Sequence, residues 1–323
     1  MTETEEKREA QRVEKEARDI IHDVNKLRSF SEKEKTRWVW ELLQNAKDAA
    51  TDNGVDVIYE LKDDKVVISH NGLPFETEHL LALLYKTSTK SLGNEDGSTG
   101  KYGTGFVTTH VLNKKLTVRG VHRNSKGLRQ FSFDIDRNSV SLQEDLALKA
   151  IKKSLKETFD VINKIVESEP ESIEENIHSF TYELSPNSKK IAELGLQELE
   201  QSIDFVLLIN SKEKKRINSV TVIKNGDERT YKLANPQVIG NINYIETADI
   251  EGVLYFDFED LTIGVPVIKN EDKFEIQSIE GKSVLFKEFP LIGSENFNLP
   301  LFIQHRSFIP TEKRDGISTN KED

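Results

Sequence analysis

The chain has 323 residues, no cysteine, one methionine and eight prolines, and its 45 basic against 56 acidic side chains leave a formal charge of −11. That length suggests two domains, each able to bury a core. The lack of cysteine excludes a disulfide framework, a thiolate metal site and a cysteine nucleophile. No apolar run nears the roughly 20 residues needed to cross a bilayer. Met1 opens onto TETEEKREAQ and not onto an apolar secretory segment, so a cytoplasmic protein is expected.

Residues 2–29 read as a charged helix with a narrow apolar stripe through Val13, Ala17, Ile20, Val24 and Leu27. Ser31 and Glu34 make a Ser-x-x-Glu capping box for a second helix over 32–52, which stops before Asn53-Gly54. Strands at 55–61 and 65–69 flank a Lys62-Asp63-Asp64 turn, and 77–85 reads as helix. The texture then changes. Gly93, Gly97, Gly100, Gly103 and Gly105 fall within thirteen positions of a chain with 17 glycines, which marks a loop with special backbone needs. A helix over 106–112 leaves that loop, and strands follow at 116–121 and 130–135. Leu148, Ile151, Leu155, Phe159, Ile162 and Val166 form the stripe of a helix ending before Pro170. Phe180, Tyr182 and Leu184 alternate as a strand, and a helix covers 188–203. Beyond it the pattern predicts strands at 204–210, 217–224, 229–233, 252–258, 261–268 and 284–289. A boundary is placed near 200, giving a first domain over 1–200 and a second, smaller α/β domain of sheet and helix over 201–323. The final ISTNKED is no obvious finish to a domain, so a further C-terminal effector region or a partner protein is expected.

Three segments carry chemistry. In WELLQNAKDAA, residues 40–50, Glu41, Asn45 and Asp48 fall at i, i+4 and i+7, so all three project from one helix face. An amphipathic surface helix gives the same spacing, but asparagine between two carboxylates is an unfavourable choice in a helix interior. The trio suits metal-assisted water activation: an amide oxygen for Mg²⁺ and a carboxylate one turn away to accept a proton. In SHNGLPF, residues 69–75, Asn71-Gly72 before Pro74 reads as a tight turn at a strand end. In TGKYGTGF, residues 99–106, glycines let backbone N–H groups approach a phosphate as the chain enters a helix. Neither a Walker A loop nor a Rossmann fingerprint fits: Glu95 and Tyr102 flank Gly100-Lys101, and Thr108 replaces the last small residue.

In this order the three segments resemble the GHKL ATPase superfamily (gyrase, heat-shock chaperone, histidine kinase, MutL), whose nucleotide site is the Bergerat fold. RWVWELLQNAKDAA, HNGLPF and TSTKS…TGKYGTGF look most like its sacsin-type and heat-shock-chaperone-type branches, over about 1–185. A weaker likeness over 289–317 suggests the end of a following second domain. The resemblance implies an α+β sandwich, a mixed and mostly antiparallel sheet with helices on one face, that binds ATP and Mg²⁺. It implies Glu41 as general base, Asn45 as Mg²⁺ ligand and Asp48 as the acid near the ribose. Gly72 would line the adenine pocket, in a turn with His70 and Asn71. Lys90 stands where a lid residue reaches the phosphates. Gly100, Gly103 and Gly105 match the phosphate loop, with Lys101, Tyr102, Thr104 and Phe106 in the same run. Lys313 and Arg314 lie where a second-domain cation completes the γ-phosphate site.

Two residues depart from the pattern. His70 stands where the family's carboxylate accepts the adenine amino group, and His178 where a threonine is usual on the strand behind the base. A neutral imidazole has one acceptor nitrogen, so weaker discrimination between ATP and GTP is expected. The seven histidines show no metal-ligand spacing. Lys114, Lys115, Arg119, Arg123, Lys126 and Arg129 form a basic run that reads first as a solvated strand pair and second as a nucleic-acid patch. The function expected is a slow ATPase driving lid closure and domain rearrangement in a chaperone-like or defence-like machine. A nucleotide-gated clamp with little turnover and a histidine-kinase catalytic domain are the rivals. A homodimer on nucleotide binding, with 2–29 crossing between protomers, is set against that helix packing back on its own chain.

Overall fold

The Ser31–Glu34 capping box forms, and it starts the segment on which the site is built. The Ser31 hydroxyl accepts from the Glu34 N–H at 3.2 Å while the Glu34 carboxylate accepts from the Ser31 N–H at 2.8 Å. The computed structural model describes residues 3–85, 105–211, 216–247, 252–271, 273–297, 299–311 and 314–318. α1 (Glu3–Lys26) ends in a 3₁₀ turn, and the single helix expected over 32–52 is divided into α2 (Glu32–Thr36) and α3 (Trp38–Asp48). It stops at Asp48 because the chain turns back through Thr51 and Gly54, a glycine at φ +88°.

The first sheet takes β1 (Val55–Lys62), β2 (Lys65–His70), β3 (Lys115–Asn124), β4 (Gly127–Asp136), β5 (His178–Glu183), β6 (Ile217–Lys224) and β7 (Asp227–Tyr231). Their order is β4-β3-β5-β2-β1-β6-β7, and only the β1–β6 pair is parallel. Alternation puts Val57, Tyr59, Ile68, Phe180 and Tyr182 on one buried face. That face is covered by helices, among them α3, α6 (Glu144–Glu167) and α7 (Pro186–Asn210), while α4 (Thr77–Leu84) and the short α5 (Gly105–Thr108) flank the segment between them. This is the α/β sandwich expected. The stripe of α1 is buried within its own chain, with Ala17, Ile20 and Val24 in the core and α6 against the helix.

The strand expected at 204–210 is instead the last two turns of α7. Phe205, Val206, Leu207, Leu208 and Ile209 are all buried because this end of the helix is wrapped on all sides, so its sequence has no polar face to reveal a helical period. Position 200 lies inside α7, and β6 and β7 beyond it join the first sheet. The second sheet starts later, with β8 (Gln237–Ile239), β9 (Ile242–Ile245), β10 (Gly252–Asp257), β11 (Leu261–Asn270), β12 (Lys273–Ile276), β13 (Leu285–Lys287), β14 (Phe289–Pro290) and β15 (Phe302–His305). Its order is β14-β13-β15-β11-β10-β9-β8, with β12 also on β11. The strand expected over 284–289 breaks at Glu288, whose φ is +61°. Among the described residues after 211 there is no α-helix, so this sheet packs on α7 and α3: Phe205 of α7 stacks on Phe302 at 4.7 Å and meets Phe286 edge-on at 4.8 Å.

The basic run on β3 and β4 is interleaved with acids. Lys115 pairs with Asp134 at 2.8 Å, Lys126 with Glu169 at 2.6 Å, and Arg129 donates to the Glu169 carbonyl at 2.8 Å.

α7 crosses α3 where Gly195 faces Trp38. A Cβ added at Gly195 would lie 2.3 Å from the Trp38 Nε1, and Trp38 is fully buried, with its ring 6.1 Å from Tyr59. Alanine favours helix over glycine by about 1 kcal/mol, whereas overpacking a rigid core costs roughly 1–3 kcal/mol. The clash wins. Gly195→Ala should lower the urea midpoint, and a midpoint raised by the substitution would show that Trp38 can yield.

Candidate nucleotide site

α3 is enclosed nearly all round. Trp38, Val39, Trp40, Leu42, Leu43, Gln44, Ala46 and Lys47 are buried, whereas Glu41, Asn45 and Asp48 are half-buried. The polar stripe is therefore not a solvated surface face but the one open strip of a buried helix. Two contacts from the second sheet seal the far side: Lys47 pairs with Glu288 at 2.7 Å, and Trp40 packs near Phe289 at 6.4 Å.

Glu41 sits at a junction of three chain segments. Arg37, one turn before it, donates to the Glu41 Oε1 at 3.0 Å, and the two side chains are only 8% and 12% exposed. Gly105 lies directly over the other oxygen, since a Cβ built there would fall 2.1 Å from the Glu41 Oε2. Any side chain at 105 would displace the carboxylate. Arg314 comes from near the C-terminal end, is half-buried, and donates to the Lys287 carbonyl at 3.0 Å. Burial lowers its pKa, the neighbouring Glu41 charge opposes that, and Arg37 adds to it, so the three charges share one locality. Arg37, Lys47 and Glu288 were not singled out from the sequence. Only the Arg37–Glu41 pair carries a local signal, the i,i+4 spacing of opposite charges.

The HNG turn is built on close backbone approach. Leu73 donates its N–H to the Ala49 carbonyl at 2.6 Å, and a Cβ at Gly72 would meet that same oxygen at 2.7 Å. Glycine is required there by space. Asn71 points elsewhere: its amide donates to the Asp56 carboxylate at 3.0 Å and accepts from the Asp56 N–H at 2.8 Å, so it closes a turn on β1. His70 and His178 face each other in the β2–β5 register, their ring centroids 5.0 Å apart, and Phe75 meets His178 edge-on at 5.1 Å. The His70 Nδ1 accepts from the Gly72 N–H at 3.2 Å. His178 accepts from the Val121 N–H at 3.3 Å and gives its Nε2–H to the Gly72 carbonyl at 3.2 Å. Asn176 donates to that carbonyl at 2.6 Å and keeps a buried Oδ1 without a hydrogen-bond partner.

Phe106 follows Gly105 and packs on Phe180 at 5.8 Å. Lys90, Gly100, Lys101, Tyr102, Gly103, Thr104 and Lys313 lie outside the described residues. The structure thus brings Glu41, Asn45, Asp48, Gly105 and Arg314 to one end of α3 and its exposed strip, and His70, Gly72 and His178 to the sheet at the other end. Among the described residues no group of His, Asp and Glu forms a metal cage. The exposed His79 caps α4 by accepting from the Glu76 N–H at 3.1 Å, and His110 is buried.

Burial holds three imidazoles neutral. It lowers His70 to about 3, with the neighbouring His178 adding to the effect, His110 to about 3 and His178 to about 4. Each folded pKa lies below the ordinary value of 6.5, so the unfolded chain binds more protons as the pH falls. Their contribution to stability is complete above pH 6.5 and is lost on acidification toward the folded values. Each group contributes a slope of up to about 1.4 kcal/mol per pH unit in that window. Urea unfolding should therefore weaken from pH 7 to 5, and His178→Gln, which keeps an N–H for the Gly72 carbonyl, should flatten the slope. Equal slopes in both proteins would mean that His178 is protonated in the fold.

Residues 34–168 match the family model described as Histidine kinase-, DNA gyrase B-, and HSP90-like ATPase. The matched stretch holds Glu41, Asn45, Asp48, His70, Gly72 and Gly105 and leaves out His178 and Arg314. No curated protein matches the chain. The match supports the likeness to the GHKL superfamily carried by the three motifs, and with it ATP binding and hydrolysis as the general class of activity.

Proposed function

We propose that the chain is an ATPase module that binds ATP with Mg²⁺ over the open strip of α3 and hydrolyses it slowly. Closure of 86–102 as a lid would be relayed to the second sheet through Arg314, as in a chaperone-like or defence-like machine. The observation that carries this reading is the close approach of Gly105, at the end of the glycine-rich segment, to the Glu41 carboxylate.

The residues present suit the metal. Asn45 offers an amide oxygen one helical turn from Glu41, a hard ligand of the kind Mg²⁺ takes. When bound, the ion neutralises phosphate charge. Arg37 fixes the carboxylate by its bond to Oε1, which leaves Oε2, on the Gly105 side, as the oxygen that receives a proton from water. Arg37, Lys47 and Arg314 stand against Glu41 and Glu288, so these five side chains carry one net positive charge, an excess that a polyphosphate offsets. The same Arg37–Glu41 bond favours the second reading, a clamp with little turnover, because it competes with water for the base.

A positioned general base contributes roughly 10²–10⁴-fold to rate, so Glu41→Gln should keep nucleotide affinity and lose steady phosphate release by that factor. Wild-type turnover in the variant would remove Glu41 from the chemistry, and no turnover in either protein would select the clamp. Asn45→Ala should weaken Mg-dependent ATP binding severely in calorimetry, and unchanged affinity would contradict its role as ligand.

A further inference from the structure

The base end of the site differs from the carboxylate pattern in a way that the hydrogen bonds resolve atom by atom. His70 lies on the helix-covered face of β2, in line with Val66 and Ile68. Its Nδ1 accepts a backbone N–H from Gly72, and a backbone amide can only donate. A neutral ring in that arrangement must carry its proton on Nε2. His178 has the same tautomer, fixed from both sides, because the Val121 N–H donates to its Nδ1 and its Nε2–H is spent on the Gly72 carbonyl. Of the four ring nitrogens, the His70 Nε2 alone has no hydrogen-bond partner among the described residues. Burial keeps the ring from taking a second proton near neutral pH, so its tautomer does not change with ordinary buffer conditions.

We propose that position 70 reads the nucleotide base as a hydrogen-bond donor, through the His70 Nε2–H, and that the site takes 6-oxopurine triphosphates, those of guanosine and inosine, in preference to ATP. This rests on the nucleotide-site reading above and replaces ATP there by a 6-oxopurine triphosphate as the preferred nucleotide. A carboxylate at this place accepts from the 6-amino group of adenine; a fixed N–H facing that amino group sets donor against donor. The oxygen at position 6 of guanine or hypoxanthine is the matching acceptor. The second unpaired group at this turn, the buried Oδ1 of Asn176, is an acceptor, the complement of the N1–H that both 6-oxopurines carry and adenine lacks. A site built to hydrogen-bond one edge penalises the edge that leaves its polar groups unpaired.

The test is calorimetric titration of the full chain with non-hydrolysable analogues of ATP, GTP and ITP in the presence of Mg²⁺. The 6-oxopurine analogues should bind more tightly than the ATP analogue, and His70→Asp should shift the ratio toward ATP by roughly tenfold or more. ATP bound as tightly as both others or more tightly, or a ratio unchanged in His70→Asp, overturns the inference while leaving the ATPase reading in place. Failure of the wild type to bind any of the three overturns both. Should His70→Asp not fold, long-range ¹H–¹⁵N spectra of the wild-type imidazoles decide the matter: a proton on the His70 Nε2 supports the donor assignment, and a proton on Nδ1 overturns it.

Discussion

Everything at the site follows from the enclosure of α3. A helix packed on a single sheet shows water a broad polar face. Here Gln44 and Lys47, which such a face would expose, are buried, at 7% and 6% exposure. Lys47 is tolerated there because Glu288 meets it at 2.7 Å; an unpaired buried ammonium would cost several kcal/mol. Closing the far side leaves the strip of Glu41, Asn45 and Asp48 as the only half-open part of the helix. The second sheet is therefore part of the site's architecture and not an appendage to it.

At the other end of the strip the governing constraint is close backbone approach. Gly72 brings its carbonyl within reach of both His178 and Asn176, and its N–H within reach of His70, only because no Cβ holds it away from Ala49. Gly105 acts in the same way toward Glu41. At neither position is a positive φ the reason for glycine. Both are places where the main chain must come within contact distance of another group, which is the condition a ligand-facing turn also needs.

What could be read from the sequence was what depends on local order. The capping box at Ser31, the β1–β2 hairpin with Asp63 at its turn, and the i, i+4, i+7 stripe of α3 each declare themselves within a dozen residues. The failures are of two kinds. Residues 204–210 read as a strand because a segment buried on every side loses its period, and a short apolar run is then ambiguous between strand and helix. β8, β9, β12 and β15 were missed because they are three or four residues long, and β8 and most of β12 are exposed as well. The partners of α3 were hidden for another reason. Lys47 and Glu288 are 241 positions apart, and nothing local in either segment announces the other.

The two sheets are joined by two different kinds of force. α7 contributes an apolar joint: Phe205 lies between Phe286 and Phe302, and Gly264 approaches it so closely that a Cβ there would sit 2.4 Å from the ring. Such packing has little freedom to slide, since interiors are close-packed and deform at a cost. The joint at α2 and α3 carries ion pairs, Lys33–Glu295 from α2 and Lys47–Glu288 from α3, beside the Trp40–Phe289 contact. Charged pairs can exchange partners without opening a void, and their strength responds to any new charge placed among them. A close-packed apolar joint at α7 and a charged joint at α2 and α3 thus hold the second sheet to the first at two places.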